Sequence, residues 1–326
     1  MKIGVFSIVL NDHSLEEALQ KFAALGLQTV EIGCGGYSRS SHMDLDAMLT
    51  DPSYLPKVQE LLKRYDMTIS GLGAQGNPVH PDPQAAAQFH SDFEKTVLVA
   101  EKLGVDTVLL LSGCPGGAPG DRTPNWITCP WPQDFSQAYT YQWEEVLIPY
   151  WRRAADFAKE HGVKKLAIEP HPGFCVYNPE TLLRLRREVG ENIGVNLDPS
   201  HLFWQGIDIL AAVDDLAGCI FHVHAKDSAI NRLIAERSGI LDPKPYSQFQ
   251  KRSWNFRTVG YGHSEQIWKD FISRLASVGY DGVISIEHED AFMPREEGLR
   301  KSAEFLRNIV IQDAVTTQWW EMRTQG

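Results

Sequence analysis

Eight short apolar segments, separated by longer amphipathic ones, run from one end of the chain to the other. Each has the length and composition of a β-strand, and the eight are 2–9, 29–33, 67–74, 106–113, 165–171, 192–198, 218–227 and 281–290. Between them lie helical patterns such as SLEEALQKFAALG, which a Ser14–Glu17 capping box opens and Gly26 closes. Repeated strand–helix alternation implies parallel strands joined by right-handed crossovers, which predicts an α/β fold.

Eight strand–helix units in a chain of 326 residues favour a closed barrel over an open sheet. An open doubly wound sheet is the alternative, but it normally has a glycine-rich phosphate turn after its first strand, and SIVLNDHS has none. We therefore predict a (β/α)8 TIM barrel that forms a single domain over residues 1–326. Residues 314–326 form a C-terminal tail, in which Trp319 and Trp320 dock on a neighbouring subunit or on the underside of the barrel.

Two connections are much longer than the turns that usually join a strand to a helix. Residues 114–139 follow the fourth strand, and residues 228–263 follow the seventh. Both therefore lie at the C-terminal face, where a TIM barrel places its active site. We expect them to act as lids, the alternative being surface excursions without a function.

Composition and charge exclude several classes of protein. The formal net charge of −11 opposes a nucleic-acid partner, because such proteins need a basic surface. No apolar run approaches the ~20 residues of a membrane span, and the N-terminus has no signal-peptide cleavage site. The five cysteines are widely spread and never form CxxC, which fits reduced thiols. We expect a cytoplasmic protein without a nucleic-acid or membrane partner.

Polar side chains share one face of each of the last four predicted strands. In GCIFHVHAKD, the two-residue period turns His222, His224 and Lys226 to one side and the apolar residues to the other. The same period places carboxylates at the ends of the other three strands, in IEPH, NLD and SIEHED. Those carboxylates are Glu169, Asp198 and Glu287. If the apolar faces pack on the helices, the polar ones converge inside the barrel.

Three crowded carboxylates repel one another and raise one another's pKa. A divalent cation removes that penalty and accepts an imidazole as a fourth ligand. We therefore predict one metal ion, and its ligands are Glu169, Asp198, His224 and Glu287. The donor set favours Mn²⁺, with Mg²⁺, Co²⁺ or Zn²⁺ as alternatives. Alternatively, each carboxylate forms a separate salt bridge and the histidine is an ordinary core residue. This alternative requires four such residues to occur by coincidence at the ends of four consecutive strands.

Further side chains near these strand ends are candidates for supporting or substrate-binding roles. We expect His222 to hydrogen-bond a ligand carboxylate, and His201 to reach substrate or orient Asp198. Lys226 places its ammonium at a substrate oxygen, or pairs with Asp227 or a nearby glutamate. The other substrate-binding candidates are His171, Arg257, Trp126 and Trp131. The two tryptophans either stack on the face of a sugar ring or pack against the protein and stabilise their own loop.

The series IEPHPG, NLDPSH, HVHAKD, VGYGH and SIEHED, in this order at strand ends, resembles the xylose-isomerase-like TIM barrels. More narrowly, it is similar to the sugar phosphate isomerases and epimerases, which include ketose 3-epimerases and inosose dehydratases. The resemblance implies that one metal is held by the four ligands, that Glu169 and Glu287 act as acid and base on opposite faces of a sugar, and that His201 contacts substrate. Some relatives act on 3-keto-glycosides, certain of them with a small partner subunit, so such a subunit or a homo-oligomer stays open here.

The implied reaction is proton abstraction next to a carbonyl, through an enediolate, by a metal-dependent sugar isomerase or epimerase. The same intermediate can eliminate a leaving group, so a lyase or dehydratase acting on a keto-sugar, inosose or 3-keto-glycoside is the alternative. An endonuclease of the endonuclease IV type shares the barrel and these ligands, but it adds histidines at earlier strand ends, where GLGAQGNP and LLLSGCPG have none. A non-catalytic sugar- or metal-binding protein would exchange no substrate protons.

Overall fold

A computed structural model gives the fold of the chain, and it describes residues 1–313 and residue 320. The rest of the predicted tail, Trp319 included, lies outside the described residues. The strands are β1 (Lys2–Phe6), β2 (Thr29–Gly33), β3 (Thr68–Gly73), β4 (Thr107–Leu111), β5 (Lys165–Glu169), β6 (Ile193–Leu197), β7 (Ile220–Ala225), β8 (Asp227–Ile230), β9 (Trp254–Arg257) and β10 (Val283–Ile286).

The helices occupy the stretches between the strands. They are α1 (Leu15–Ala24), α2 (Leu45–Thr50), α3 (Tyr54–Arg64), α4 (Pro83–Leu103), α5 (Gln133–Thr140), α6 (Ile148–Glu160), α7 (Pro179–Val189), α8 (Pro199–Phe203), α9 (Ile209–Asp215), α10 (Arg232–Ser238), α11 (Glu265–Ser277) and α12 (Arg295–Ile309). None of these helices, in the part of the chain that the structure describes, has the length and apolar character that crossing a bilayer requires.

Eight parallel strands close into a barrel in the order β1-β10-β7-β6-β5-β4-β3-β2. The ring closes where β1 pairs with β10, from Lys2 opposite Val283 to Val5 opposite Ile286. The predicted (β/α)8 TIM barrel is therefore confirmed, and all eight predicted strands are found, most of them shorter than predicted. The first, for example, ends at Phe6 because residues Ser7–Leu10 turn into a 3-10 helix.

The barrel is covered by a layer of apolar helix faces. The predicted capping box of α1 is present, and it begins a helix whose Leu19 and Phe22 are fully buried. Across the ring, Trp151 of α6 and Trp268 of α11 are also fully buried. The Trp151 indole donates a hydrogen bond of 2.9 Å to the Ser112 carbonyl, which joins α6 to the end of β4. The helices thus hold the strand ends in fixed positions.

Both long connections lie at the C-terminal ends of the strands. The connection after β4 leads into α5, and a π-helical segment, Tyr141–Leu147, then joins α5 to α6. The connection after β7 begins with β8, which pairs antiparallel with β9, from Asp227 opposite Arg257 to Ile230 opposite Trp254. Helix α10 and 3-10 turns over Tyr246–Lys251 lie between the two strands of this hairpin.

The Asp227 carboxylate, at the start of β8, holds the end of the second connection against its beginning. Its Oδ2 accepts hydrogen bonds from the backbone N–H groups of Gly260, Gly262 and His263, at 3.1, 3.0 and 2.9 Å. It also accepts one from the indole of Trp268 at 3.2 Å. A Cβ on Gly262 would lie 2.5 Å from Asp227 Oδ1, so the tight turn of VGYGH requires glycine there.

Replacing Asp227 by asparagine should therefore destabilise the protein. The amide is uncharged and turns an N–H₂ group toward donors, and hydrogen bonds to a charged group contribute about 1.5–3 kcal/mol each. We expect the free energy of unfolding, measured by urea denaturation, to fall by about 2–4 kcal/mol. Asp281→Asn, at an exposed carboxylate, is the control and should change it by less than about 0.5 kcal/mol. Equal effects of the two substitutions would contradict the role given to Asp227.

Candidate metal centre

Four side chains from four neighbouring strands meet at the C-terminal mouth of the barrel. Glu169 ends β5, Asp198 follows β6, His224 lies in β7 and Glu287 follows β10. Each offers one ligand atom, and these four atoms all lie within 4.8 Å of one another. The structure thus brings together the four residues that the sequence pattern singled out.

The imidazole of His224 is held between two groups of carboxylates. Its Nδ1 faces the cluster, 2.9 Å from Glu287 Oε2 and 3.5 Å from Glu169 Oε2. Its Nε2 points the other way and lies 2.8 Å from Glu31 Oε2. A carboxylate on one imidazole nitrogen orients the other nitrogen toward a metal, which is the usual arrangement of ligating histidines.

Glu31 is a residue of the candidate site that the sequence analysis missed. It lies in β2, is fully buried, and also accepts a hydrogen bond from the Ser285 hydroxyl at 3.3 Å. The signal was present, because the two-residue period of TVEIG places Glu31 on the face opposite Val30 and Ile32. The prediction of the cluster rests on the last four predicted strands, and β2 is not one of them.

The Lys226 ammonium lies among the carboxylates at the mouth. Its Nζ is 3.0 Å from Asp198 Oδ2, 2.8 Å from Glu287 Oε2 and 3.0 Å from Glu289 Oε2. The side chain is only 2% exposed and packs over the ring of Phe256. Burial alone would lower the pKa of Lys226, but the surrounding carboxylates raise it well above its usual value. Lys226 therefore makes the predicted ion pair with nearby glutamates, although not with Asp227.

The two glutamates differ in their electrostatic surroundings. Burial, and then the charge of Glu287, raise the pKa of Glu169 to about 7. Burial also acts on Glu287, but the nearby charges of Lys226 and His224 hold its pKa well below the usual value. A pair of carboxyls whose pKa values are pushed apart is typical of sites that carry an acid and a base.

His201 and His171 form a neutral pair beside the cluster. His201 Nε2 donates to Glu169 Oε1 at 2.9 Å and lies 3.2 Å from Asp198 Oδ2. Its ring packs on that of His171, with the ring centres 4.1 Å apart. Burial lowers the pKa of both imidazoles to about 4, so both are neutral near pH 7. His201 thus bonds one candidate ligand, Glu169, and contacts a second, Asp198.

His222 differs from its prediction in one respect. We expected it to bond a ligand carboxylate directly, but the Asn196 amide lies between them. Asn196 donates to Glu169 Oε2 at 3.0 Å, and its oxygen accepts from His222 Nδ1 at 3.0 Å. The other nitrogen of His222 is 3.2 Å from the Ser70 hydroxyl. His222 therefore supports Glu169 indirectly, through the side-chain amide of Asn196.

Three other candidates lie farther from the cluster. Arg257 Nε pairs with Asp290 at 3.2 Å, and its guanidinium covers the ring of Phe292. Trp131 is 77% exposed and lines neither of the two cavities beside the cluster. Trp126 lines the larger of the two.

Two of the cavities at the C-terminal face lie beside the cluster. The mouth cavity, of about 160 Å³, leads to the cluster, and it is lined by Phe6, Ile8, Tyr37, Ser38, Gln75, Leu111, Glu169, His171, Lys226, Glu287, His288 and Glu289. The side chamber, of about 610 Å³, is lined by Trp126, Thr128, His171, Pro172, Gly173, His201, Trp204, Leu241, Asp242, Pro243, Lys244, Pro245, Tyr246, Arg252 and Trp254. His171 belongs to both walls.

The cluster fits a divalent cation. Asp198 Oδ2 and Glu287 Oε2 are buried and make no hydrogen bond of normal geometry, even with Lys226 Nζ at contact distance. Both oxygens face positive groups in the structure, the ammonium of Lys226 in each case and also the imidazole of His224 for Glu287, so their position suits a cation. Three carboxylates and one imidazole form a donor set suited to a hard or borderline divalent ion.

Comparison with known proteins identifies the family. Residues 19–309 match the profile of the xylose isomerase-like TIM barrel. The chain belongs to this family. It is also 40% identical to the uncharacterized protein YfiH of Bacillus subtilis (strain 168), over 96% of this chain and 100% of that protein.

Solved structures share the family's fold. A D-psicose 3-epimerase crystallised in the presence of D-fructose superposes with a TM-score of 0.61, at 16% identity, over 95% of this chain and 99% of that one. The protein IolI, with a binding zinc atom, gives a TM-score of 0.66 at 18% identity, over 95% of this chain and 98% of that one. Other structures with this fold are described as an L-ribulose 3-epimerase and a probable 3-DHS dehydratase. The structural neighbours are thus epimerases and dehydratases.

Removing the Lys226 ammonium should destabilise the metal-free protein. Lys226→Met leaves Asp198 and Glu287 buried without their cation, and breaking a buried ion pair costs about 3–5 kcal/mol. We expect a loss of that size in the free energy of unfolding after EDTA treatment. Lys95→Met is the matched control, because it breaks an exposed pair with Asp46 and should cost less than about 1 kcal/mol. A loss for Lys226→Met no larger than for Lys95→Met would contradict this account.

Proposed function

We propose that the chain is a divalent-metal-dependent sugar isomerase or epimerase that moves a proton next to a carbonyl. The observation that carries this proposal is the cluster of Glu169, Asp198, His224 and Glu287, whose ligand atoms lie within 4.8 Å of one another at the barrel mouth. Family membership and structural neighbours described as epimerases support it. The small mouth cavity opens directly onto two of the four residues.

The proposed metal ligands are the same four residues, and Mn²⁺ is the proposed ion. Three oxygen donors and one imidazole favour Mn²⁺, Mg²⁺ or Co²⁺ over softer ions, while the zinc atom in IolI keeps Zn²⁺ as an alternative. When bound, the ion would supply a Lewis acid that polarises the substrate carbonyl. Glu31 would hold His224 in place through its Nε2.

Glu169 and Glu287 are the proposed proton carriers. They project from β5 and β10, which β6 and β7 separate in the barrel, so they approach the cluster from different directions. One removes the proton next to the carbonyl, and the other returns it. Return to the opposite face of the same carbon gives an epimer, and return to the adjacent carbon gives the aldose–ketose isomer.

Lys226 is the proposed contact to the substrate oxygen. Its ammonium touches the same oxygens of Asp198 and Glu287 that a metal ion would use, so the two cations compete. Its third partner, Glu289, is half exposed at the rim of the mouth cavity. With an ion on those oxygens, Lys226 would keep Glu289 as its partner, and its ammonium would lie beside a substrate in the mouth. His171 and His201, as neutral imidazoles, offer hydrogen bonds to sugar hydroxyls.

The second candidate is a lyase of the same family. After proton removal, a leaving group on the next carbon is eliminated without any new residue at the cluster. The side chamber favours this candidate, because it adjoins the mouth cavity and is large enough to hold a departing group. The probable dehydratase among the structural neighbours supports it as well.

Solvent exchange tests the proposed reaction. The protein is incubated in D₂O with Mn²⁺ and, in separate samples, D-fructose, D-psicose, inososes and keto-glycosides. We expect at least one of these compounds to gain deuterium next to its carbonyl, as measured by NMR. Glu287→Gln should slow this exchange by about 10²–10⁴-fold, the usual contribution of a general acid or base. Glu297→Gln, on the surface of α12, is the control and should leave the rate unchanged. Exchange at the wild-type rate in Glu287→Gln would rule out the assigned role.

Metal affinity tests the role of Glu31. Glu31→Gln removes the charge that orients His224, and loss of such a partner typically weakens metal binding 10–100-fold. Titration calorimetry with Mn²⁺ should show a rise in Kd of that size. Glu16→Gln, at an exposed glutamate, should leave the Kd unchanged. An unchanged Kd in Glu31→Gln would mean that the carboxylate serves folding alone.

A further inference from the structure

Two of the five cysteines form a pair near the barrel mouth. Cys114 begins the connection after β4, and Cys175 lies in the connection between β5 and α7. Both side chains are buried, and their thiols hydrogen-bond to each other. All five cysteines of the chain are free, so the two sulfur atoms are in the reduced state. The proposed reaction at the metal cluster uses neither of them.

Backbone hydrogen bonds hold the two cysteines side by side. The N–H of Cys175 donates to the Gly113 carbonyl, next to Cys114 in the chain, at 3.0 Å. The side-chain amide of Asn77 fixes Cys114, because it donates to the Cys114 carbonyl at 2.9 Å and accepts from the Cys114 N–H at 3.0 Å. A disulfide requires two neighbouring backbones whose side chains are directed at each other. The adjoining backbones meet the first condition, and the hydrogen-bonded thiols meet the second.

The two thiols differ in acidity. The hydrogen bond from the Cys175 thiol lowers the pKa of Cys114, although burial acts in the opposite direction. The same hydrogen bond, together with burial, raises the pKa of Cys175 well above its usual value. The thiolate is the form of cysteine that attacks an oxidant. Cys114 is therefore the first of the two to react, and Cys175 is placed to attack the oxidised sulfur that results.

The other three thiols have different surroundings. Cys34 and Cys219 are buried, and each donates to a nearby backbone carbonyl. Cys129 is exposed and donates to the Trp131 carbonyl at 3.3 Å. In the part of the chain that the structure describes, none of the three hydrogen-bonds to another thiol. A buried cysteine of this kind is inert, so the three provide an internal comparison for the pair.

From these observations we propose that Cys114 and Cys175 are a redox-active dithiol, which a small hydroperoxide converts into a disulfide. The Cys114 thiolate attacks one peroxide oxygen, so that an S–O bond forms, the O–O bond breaks and hydroxide leaves. The Cys175 sulfur then attacks the sulfenic acid, an S–S bond forms, and the oxygen departs as water with the Cys175 proton. Both thiols are oxidised, and hydrogen peroxide is reduced to water. This inference does not depend on the proposed function.

The disulfide would join two walls of the active-site mouth. The N–H of His171 donates to the Val176 carbonyl at 3.0 Å, which closes a loop that contains Cys175. His171 lines both cavities, and Leu111, shortly before Cys114, lines the mouth cavity. A peroxide that enters this cavity therefore comes close to the pair. Oxidation would link the loop to the connection after β4 and so restrain the mouth without altering a candidate metal ligand.

Peptide mapping after peroxide treatment tests the pair. The full-length protein is treated with hydrogen peroxide, its remaining thiols are alkylated after unfolding, and its tryptic peptides are analysed by mass spectrometry. We expect a linked pair of peptides that contain Cys114 and Cys175, lighter by about 2 Da than the two reduced peptides, because two hydrogen atoms are lost. Dithiothreitol should restore both thiols. The thermal midpoint of the oxidised protein should not fall, since the link forms between backbones that are already in place.

Cysteine variants separate the pair from general oxidation of the protein. Cys114→Ala and Cys175→Ala should each abolish the linked peptides. Cys219→Ala, at a buried thiol that bonds only a backbone carbonyl, is the matched control and should form the link at the wild-type rate. In the wild-type protein, the thiols of Cys34 and Cys219 should be oxidised at least about tenfold more slowly than the pair.

Two outcomes would overturn the inference. One is the absence of the link in the wild-type protein at a peroxide concentration that oxidises the exposed Cys129. The other is a link that forms only together with a lower thermal midpoint, because the thiols would then meet only after the barrel has opened. Both measurements are made without substrate, so neither result bears on the proposed function, which the deuterium exchange tests.

Discussion

The arrangement of side chains at the C-terminal face of this barrel depends on the neutralisation of buried carboxylates by positive groups. Glu169, Asp198 and Glu287 are brought together with almost no access to water, and charge in such surroundings is tolerated only when it is paired. In the metal-free protein, the pairing comes from His224 and Lys226. The strand ends have little freedom to move, because any shift would separate a carboxylate from its cation.

A layer of neutral polar groups extends this charged layer into the barrel. Asn196 forms hydrogen bonds with both Glu169 and His222. His222 in turn lies within hydrogen-bond distance of the Ser70 hydroxyl on β3. Each group has a partner on a different strand, so the polar interior ties the two halves of the ring to one another. This connection makes the position of Glu169 depend on residues that never approach a substrate.

Repeated strand–helix alternation was sufficient to predict the barrel. The two-residue period was sufficient to predict the four clustered residues, because side-chain direction in a strand is a local property. It could also have shown that Asp227 faces away from its neighbour Lys226, and that Glu31 faces inward. The intervening Asn196 was not predictable, since its role depends on the register between β6 and β7, which shifts beside it. Trp126 and Trp131 lie in a connection without periodicity, so only the folded structure separates the chamber residue from the exposed one.

The contact between Glu31 and His224 joins residues 193 positions apart, on strands that do not pair with each other. It can form only after the N-terminal and C-terminal strands have met, which loop-closure entropy makes a late event in folding. In a newly made chain, the imidazole of His224 would therefore be oriented by Glu31 only at the final stage of folding. Before the barrel closes, the carboxylates would lie in solvent without the geometry of the cluster, so the cluster exists only once the barrel has closed.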